Sequence, residues 1–138
     1  MAITKTERQI LWAAAVTKSV AAGATEISDA IVPAAAELKT KLTFRAKNNG
    51  TPVSGDTVSI YLIETAGDPD TDVDTVDQYA TTNQKKLLCI LDTFVIDPDI
   101  ATEDFSTAGC EGYKIIAVNN SATNAITVSA SGQGVVFA

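Results

Sequence analysis

Between residues 112 and 131 the chain reads Gly-Tyr-Lys-Ile-Ile-Ala-Val-Asn-Asn-Ser-Ala-Thr-Asn-Ala-Ile-Thr-Val-Ser-Ala-Ser. In the second half, Ile126, Val128 and Ala130 alternate with Thr127 and Ser129, the period-two signature of a strand with one buried face. The first half is apolar on both faces, as an inner strand is. Two such runs around a short polar loop read as a hairpin, and a hairpin needs further strands to cover it. The alternation returns from Leu38 to Lys47. There Leu38, Thr40, Leu42, Phe44 and Ala46 share one face, and Lys39, Lys41, Thr43, Arg45 and Lys47 take the other. Thr57–Glu64 repeats it, with Val58, Ile60 and Leu62 inward and Ser59 and Tyr61 outward. Lys85–Val95 reads as one buried strand, or as two broken at Asp92. Turns fall at Asn48–Pro52 and Asp97–Asp99.

With a closing strand at Gly134–Ala138, about eight strands are expected. The fold class that follows is all-β, an antiparallel β-sandwich or jelly roll. Leu42, Phe44, Ile60, Leu62, Leu88, Ile90, Ile115, Ile126 and Val128 are the expected core. Residues 1–16 are set apart as an N-terminal arm or edge strand, and residues 17–138 as one β-sandwich domain. Thr25–Val32 reads as a short strand stopped by Pro33, and Ala34–Glu37 suits one helical turn. The arm holds the only tryptophan, Trp12, beside Ile10 and Leu11. Trp is a favoured interface anchor, so these three residues are candidates for docking on a neighbouring subunit; a place in the chain's own core is the equal alternative.

Composition changes the picture in one direction, away from catalysis. The chain of 138 residues has no His, so the usual base for a Ser or Cys nucleophile is missing, as are His-based zinc sites. Gly132-Gln133-Gly134 lacks the rest of a phosphate-binding motif. No enzyme activity, cofactor or metal is expected. The alternating acids Asp68, Asp70, Asp72 and Asp74 miss the Gly and Glu positions of an EF-hand calcium loop, and the stretch 65–77 is read as a solvated acidic loop, with a looser Ca²⁺ site on its carboxylates as the alternative. Cys89 and Cys110 are read as thiols rather than a bridge, although pairing is left open.

The charge is unevenly distributed, which suits docking on a partner or simply an uneven solvated surface. The net charge is −7, yet residues 1–50 carry seven basic side chains against four acidic ones, and the remainder three against thirteen. Lys39, Lys41, Arg45 and Lys47 concentrate positive charge on one strand face, a candidate contact for an acidic partner, or else an ordinary solvated sheet face. The acidic total, and basic residues without interleaved aromatics, argue against nucleic acid. No apolar run approaches the roughly 20 residues of a membrane helix, so no membrane partner is expected.

The order of segments resembles a known group. Val-Ser-Ile-Tyr-Leu is followed by Gly-Asp-Pro-Asp-Thr-Asp, then Leu-Leu-Cys-Ile-Leu-Asp-Thr-Phe, an Asp-Pro turn, Gly-Tyr-Lys-Ile-Ile-Ala-Val-Asn-Asn and Ile-Thr-Val-Ser-Ala. This layout, over about residues 15–138, resembles the small β-sandwich or jelly-roll virion proteins of tailed bacteriophages that decorate or cement the capsid. The resemblance implies a non-catalytic protein on the capsid exterior, made in the host cytoplasm. Its implied partners are the major capsid protein and itself, as a dimer or trimer. A carbohydrate- or receptor-binding module, or a tail or head-completion protein, is the alternative.

Overall fold

A computed structural model describes residues 3–65, 86–107 and 112–137. Residues 66–77 of the acidic loop and Cys110 lie outside the described residues. The described residues form nine strands and no helix. They are β1 (Ile3–Ile10), β2 (Lys18–Val20), β3 (Thr25–Ile27), β4 (Glu37–Asn48), β5 (Thr57–Thr65), β6 (Lys86–Asp92), β7 (Asp99–Ser106), β8 (Gly112–Asn119) and β9 (Ile126–Phe137). One antiparallel sheet runs β1-β9-β4-β7, with β2 also pairing β9; the other runs β3-β8-β5-β6. The fold is a β-sandwich.

Period-two alternation builds the core. From β4, Leu42, Phe44 and Ala46 turn inward, and from β9, Ile126, Val128 and Ala130. They meet Val58, Ile60 and Leu62 of β5 and Tyr113, Ile115 and Ala117 of β8. Phe105 and Tyr113 pack edge to face, with ring centroids 4.8 Å apart. The apolar outer side of β8 is used as well: Ile116 and Ile63 form a second, smaller buried cluster with Ile27, Tyr61 and Val118 against it.

Four local expectations are corrected. The runs 112–119 and 126–137 are not a hairpin: β8 pairs with β3 and β5, whereas β9 pairs with β1, β2 and β4. Residues 120–125 therefore arch from one sheet to the other. Ile90 is 55% exposed. In β6 the inward positions are Leu91 and Cys89, opposite Val58 and Ile60, so Ile90 falls opposite Ser59 on the outer face. A register shift follows beside Ile60, and Leu88, half-buried, still packs against the core as expected. Leu38 is exposed, because a bulge between Glu37 and Lys39 inserts it as an extra residue and turns the Glu37 side chain inward. Ala34–Glu37 forms a tight turn closed by the Glu37 N–H on the Ala34 carbonyl at 2.9 Å, not a helical turn.

Of the two alternatives for the N-terminal residues, arm or edge strand, residues 3–10 form an edge strand of the chain's own sheet. β1 lies at the sheet edge and pairs with β9 along its whole length. Beyond it the backbone reverses: Trp12 and Ala15 exchange both N–H···O bonds at 2.8 and 3.0 Å, with Ala13 and Ala14 at φ of 49° and 66°. Positive φ at both central residues is the geometry of a primed hairpin turn, normally supplied by Asn or Gly. Here the Asp29 carboxylate holds it by accepting from the N–H groups of Ala13 and Ala14 at 3.0 and 2.9 Å. The turn drives Trp12, 2% exposed, into the main core beside Ile10. Trp12 and Ile10 are thus core residues of their own chain, and Leu11 is half-buried.

Trp12→Ala is expected to lower unfolding free energy by about 3–5 kcal/mol, the cost of emptying a large buried aromatic site. A urea midpoint equal to that of the unsubstituted chain would contradict this placement. Ala14→Gly, which removes a Cβ from the left-handed region, is expected to raise stability by about 0.5–1 kcal/mol in the same measurement.

Candidate interaction face and the polar clusters beneath it

β4 is an inner strand, between β9 and β7, and its outward residues line the middle of the five-stranded sheet. Across the ladders Lys39 lies beside Val135 and Ser106, Lys41 between Gln133 and Asp104, and Arg45 between Ser129 and Ile100; Lys47 lies beside Thr127. All four cations are exposed. None forms a salt bridge among the described residues, where only Arg8–Glu37 and Lys18–Glu26 do. The structure therefore brings the basic stripe together and keeps it apart from Ile10 and Trp12. Next to Lys41 the surface is concave. Glu7, Gln9, Thr43, Ser131 and Gln133 join Lys41 in lining a polar trough of about 510 Å³.

Two buried polar clusters hold the two ends of β4. At its start the Glu37 carboxylate, 3% exposed, accepts from Arg8 Nη2 at 2.6 Å, from the Ala34 N–H at 2.8 Å and from the Thr40 hydroxyl. Burial pushes this carboxyl up, but the bonds from Thr40, Arg8 and Ala34 outweigh it and hold it below the ordinary value. The side chain reaches over β9 at Gly134, where a Cβ would collide with the carboxylate. Gly134 thus serves close approach of a side chain to the backbone, which accounts for the glycine that sequence alone left without a role.

At the far end of β4, Asp56 collects a larger network. Its carboxylate, 1% exposed, accepts from Asn48 Nδ2 at 2.8 Å, the Val53 N–H at 3.0 Å, Ser121 Oγ at 2.7 Å and Asn124 Nδ2 at 2.9 Å. Its backbone carbonyl accepts from the N–H and hydroxyl of Thr93 at 3.0 and 2.9 Å. Gly55, at φ 94°, makes the turn that brings the carboxylate under the arch. Asn119 extends the network, donating from Nδ2 to the carbonyls of Val20 and Asn124, each at 2.9 Å. Burial raises the Asp56 carboxyl; its four donors overcome that and bring it down to about 2. Sequence reading passed over this residue. The available signal was the set of Asn, Ser and Asp residues in the two loops 48–56 and 119–124, which local pattern marks only as turns.

Groups with chemical potential elsewhere are quiet. Cys89 is a half-buried free thiol, pushed up to about 11 by burial and then by Glu103 and Asp99, which keeps it protonated at neutral pH. Among the described residues no group of three or more His, Cys, Asp or Glu side chains is arranged to hold a metal ion.

No protein-family model matches this chain, and no curated protein matches it significantly. Among solved structures it is similar to the SPBc2 prophage-derived protein YomS, with a TM-score of 0.44 and 14% identity over 98% of this chain and 96% of that one. It is similar to FLHE at a TM-score of 0.45 and 10% identity, over 99% of this chain and 97% of that one. Likenesses at this level carry no argument about function.

The Asp56 network generates a pH dependence of defined sign. The folded-state carboxyl titrates at about 2, below its ordinary value of 3.8. Folding therefore favours the ionised form, and the stabilisation is fully present above the ordinary value and lost as pH falls through about 2. Asp56→Asn is expected to cost about 1–3 kcal/mol at neutral pH, because several buried donors lose a charged acceptor. The gap between the two proteins, followed by urea unfolding, is expected to narrow as pH falls through that window. A gap that stays constant with pH would contradict the assignment.

Proposed function

We propose that this chain is a non-catalytic structural protein of a tailed-phage type of virion, and that it docks on the exterior of the capsid shell as a decoration or cement protein. The supporting observation is the β4 stripe: Lys39, Lys41, Arg45 and Lys47 are all exposed along the middle of one sheet, in a chain of net charge −7. A sandwich with a basic sheet face suits attachment to an acidic protein surface, where complementary charge sets orientation and association rate more than affinity. The resemblance in segment order supports the major capsid protein as that surface. Attachment needs no active site, in keeping with a chain that has no His and a protonated, half-buried Cys89.

The trough beside Lys41 favours a second reading, binding of a carbohydrate or receptor through Gln9, Ser131 and Gln133. Its lining contains no aromatic side chain on which a sugar ring would stack, so docking on protein is the preferred reading.

The experiment is to add purified protein to undecorated phage shells and measure occupancy and resistance to heat or chaotrope. Decorated shells are expected to be the more resistant. Each exposed ion pair contributes about 0–1 kcal/mol, so one substitution should change little. Reversal of Lys39, Lys41, Arg45 and Lys47 to Glu together is expected to slow association and remove much of its salt dependence. Equal stability of decorated and bare shells would overturn the proposal, and unchanged binding by the folded quadruple variant would exclude the stripe.

A further inference from the structure

Of the asparagines in the chain, Asn49 alone is followed by glycine. An asparagine amide is open to attack by the peptide nitrogen of the next residue, which makes asparagine thermolabile. Glycine, lacking a Cβ, hinders that nitrogen least. The step forms a bond from the Gly50 nitrogen to Asn49 Cγ and breaks the Cγ–Nδ2 bond. The proton of the Gly50 nitrogen and the amide NH₂ depart together as ammonia. The cyclic imide then takes up a water molecule, and opening at one or other carbonyl gives Asp or isoaspartate.

The fold requires that glycine. A Cβ at position 50 would collide with the side-chain amide of Asn124. Asn124 cannot give way freely, because its Nδ2 donates to the Asp56 carboxylate at 2.9 Å and to the Thr51 carbonyl at 2.8 Å. The buried network around Asp56 thus keeps a chemically weak dipeptide in an exposed loop.

The same neighbourhood occupies the reacting groups. The Gly50 N–H donates to Asn48 Oδ1 at 2.9 Å, so the nucleophile has first to give up a hydrogen bond. Asn49 Nδ2 donates to Ser19 Oγ of β2 at 3.3 Å, and Asn49 Oδ1 accepts from the Thr127 hydroxyl of β9 at 3.0 Å. The Asn49 N–H donates to the Ala125 carbonyl at 3.0 Å. Ring closure folds the Asn49 side chain back onto its own backbone, away from partners on two other strands. Reaction therefore requires local opening of the loop, and its rate follows the population of the opened form. Thr127 lies opposite Lys47 in the ladder, so a carboxylate formed at position 49 falls at the Lys47 end of the basic stripe.

We propose that Asn49 is a deamidation site that the fold holds in check through Ser19 and Thr127, and that conversion proceeds by opening of residues 48–50 away from β2 and β9. This chemistry stands apart from the shell reading. The full chain, folded or in guanidinium chloride, is kept in mildly alkaline buffer, and conversion at Asn49 is followed by mass spectrometry of proteolytic fragments. In denaturant Asn49 should convert ahead of the other asparagines. In the folded chain it should convert at least about tenfold more slowly than in denaturant. Thr127→Val keeps the branched shape and removes the hydroxyl. It should raise the folded-state rate about two- to tenfold, the change in opening that loss of one hydrogen bond brings. Ser19→Ala, at an exposed position of β2, should act in the same direction and serves if Thr127→Val does not fold. Urea midpoints close to that of wild type would keep the effect local. Equal rates in the folded and denatured chain overturn the proposal, as does earlier conversion at another asparagine. So does a folded-state rate that both substitutions leave unchanged or lower, or a gain in rate matched by an equal loss of global stability.

Discussion

A single buried carboxylate ties the two layers of this sandwich together. Asp56 draws donors from the end of β4 in one sheet and from the arch that carries the chain from β8 to β9, while its carbonyl holds Thr93 after β6. Hydrophobic contact between sheets is non-directional and permits sliding. Hydrogen bonds to an ionised acceptor are directional and stronger than neutral ones. The core decides that the sheets stack, and this network decides how they are aligned at one end. Because the acceptor is charged and buried, each donor lost leaves an expensive group behind.

The opposite end of β4 repeats the arrangement with Glu37 and Arg8. At about 3.3 Å per residue the twelve-residue strand spans roughly 40 Å, with a buried polar cluster at each extremity and an apolar face between them. The outward side is left free of structural duty. Lys39, Lys41, Arg45 and Lys47 thus ride on a strand whose position is set from within, and their spacing is that of the pleat.

The same economy applies to the β6–β7 turn. Residues that fix the turn are carboxylates and a threonine bonded to backbone groups, which leaves the apolar side chains Phe94, Val95 and Ile96 outward. Polar residues make the internal structure and apolar residues make the surface, the reverse of the usual division.

Alternation in the sequence by itself determined the class of fold, the strand cores of β4, β5 and β9, and the two faces of β4, because period-two patterning is a local property that a buried sheet face enforces wherever it occurs. The acidic overall charge and the missing His were equally legible, being composition. Which strands pair was not: two adjacent runs that look like a hairpin, 112–119 and 126–137, entered different sheets, since the arch between them is bonded to Asp56, distant in sequence. Bulges are invisible to pattern as well, and a one-residue shift moved Leu38 outward and brought Glu37 inward. Trp12 was undecidable until the reversal at Ala13 and Ala14 supplied a direction, and that reversal depends on a carboxylate at position 29. Local sequence sets what each segment can be; the directional bonds between segments far apart in the chain, formed only once the sheets are stacked, decide where each one goes.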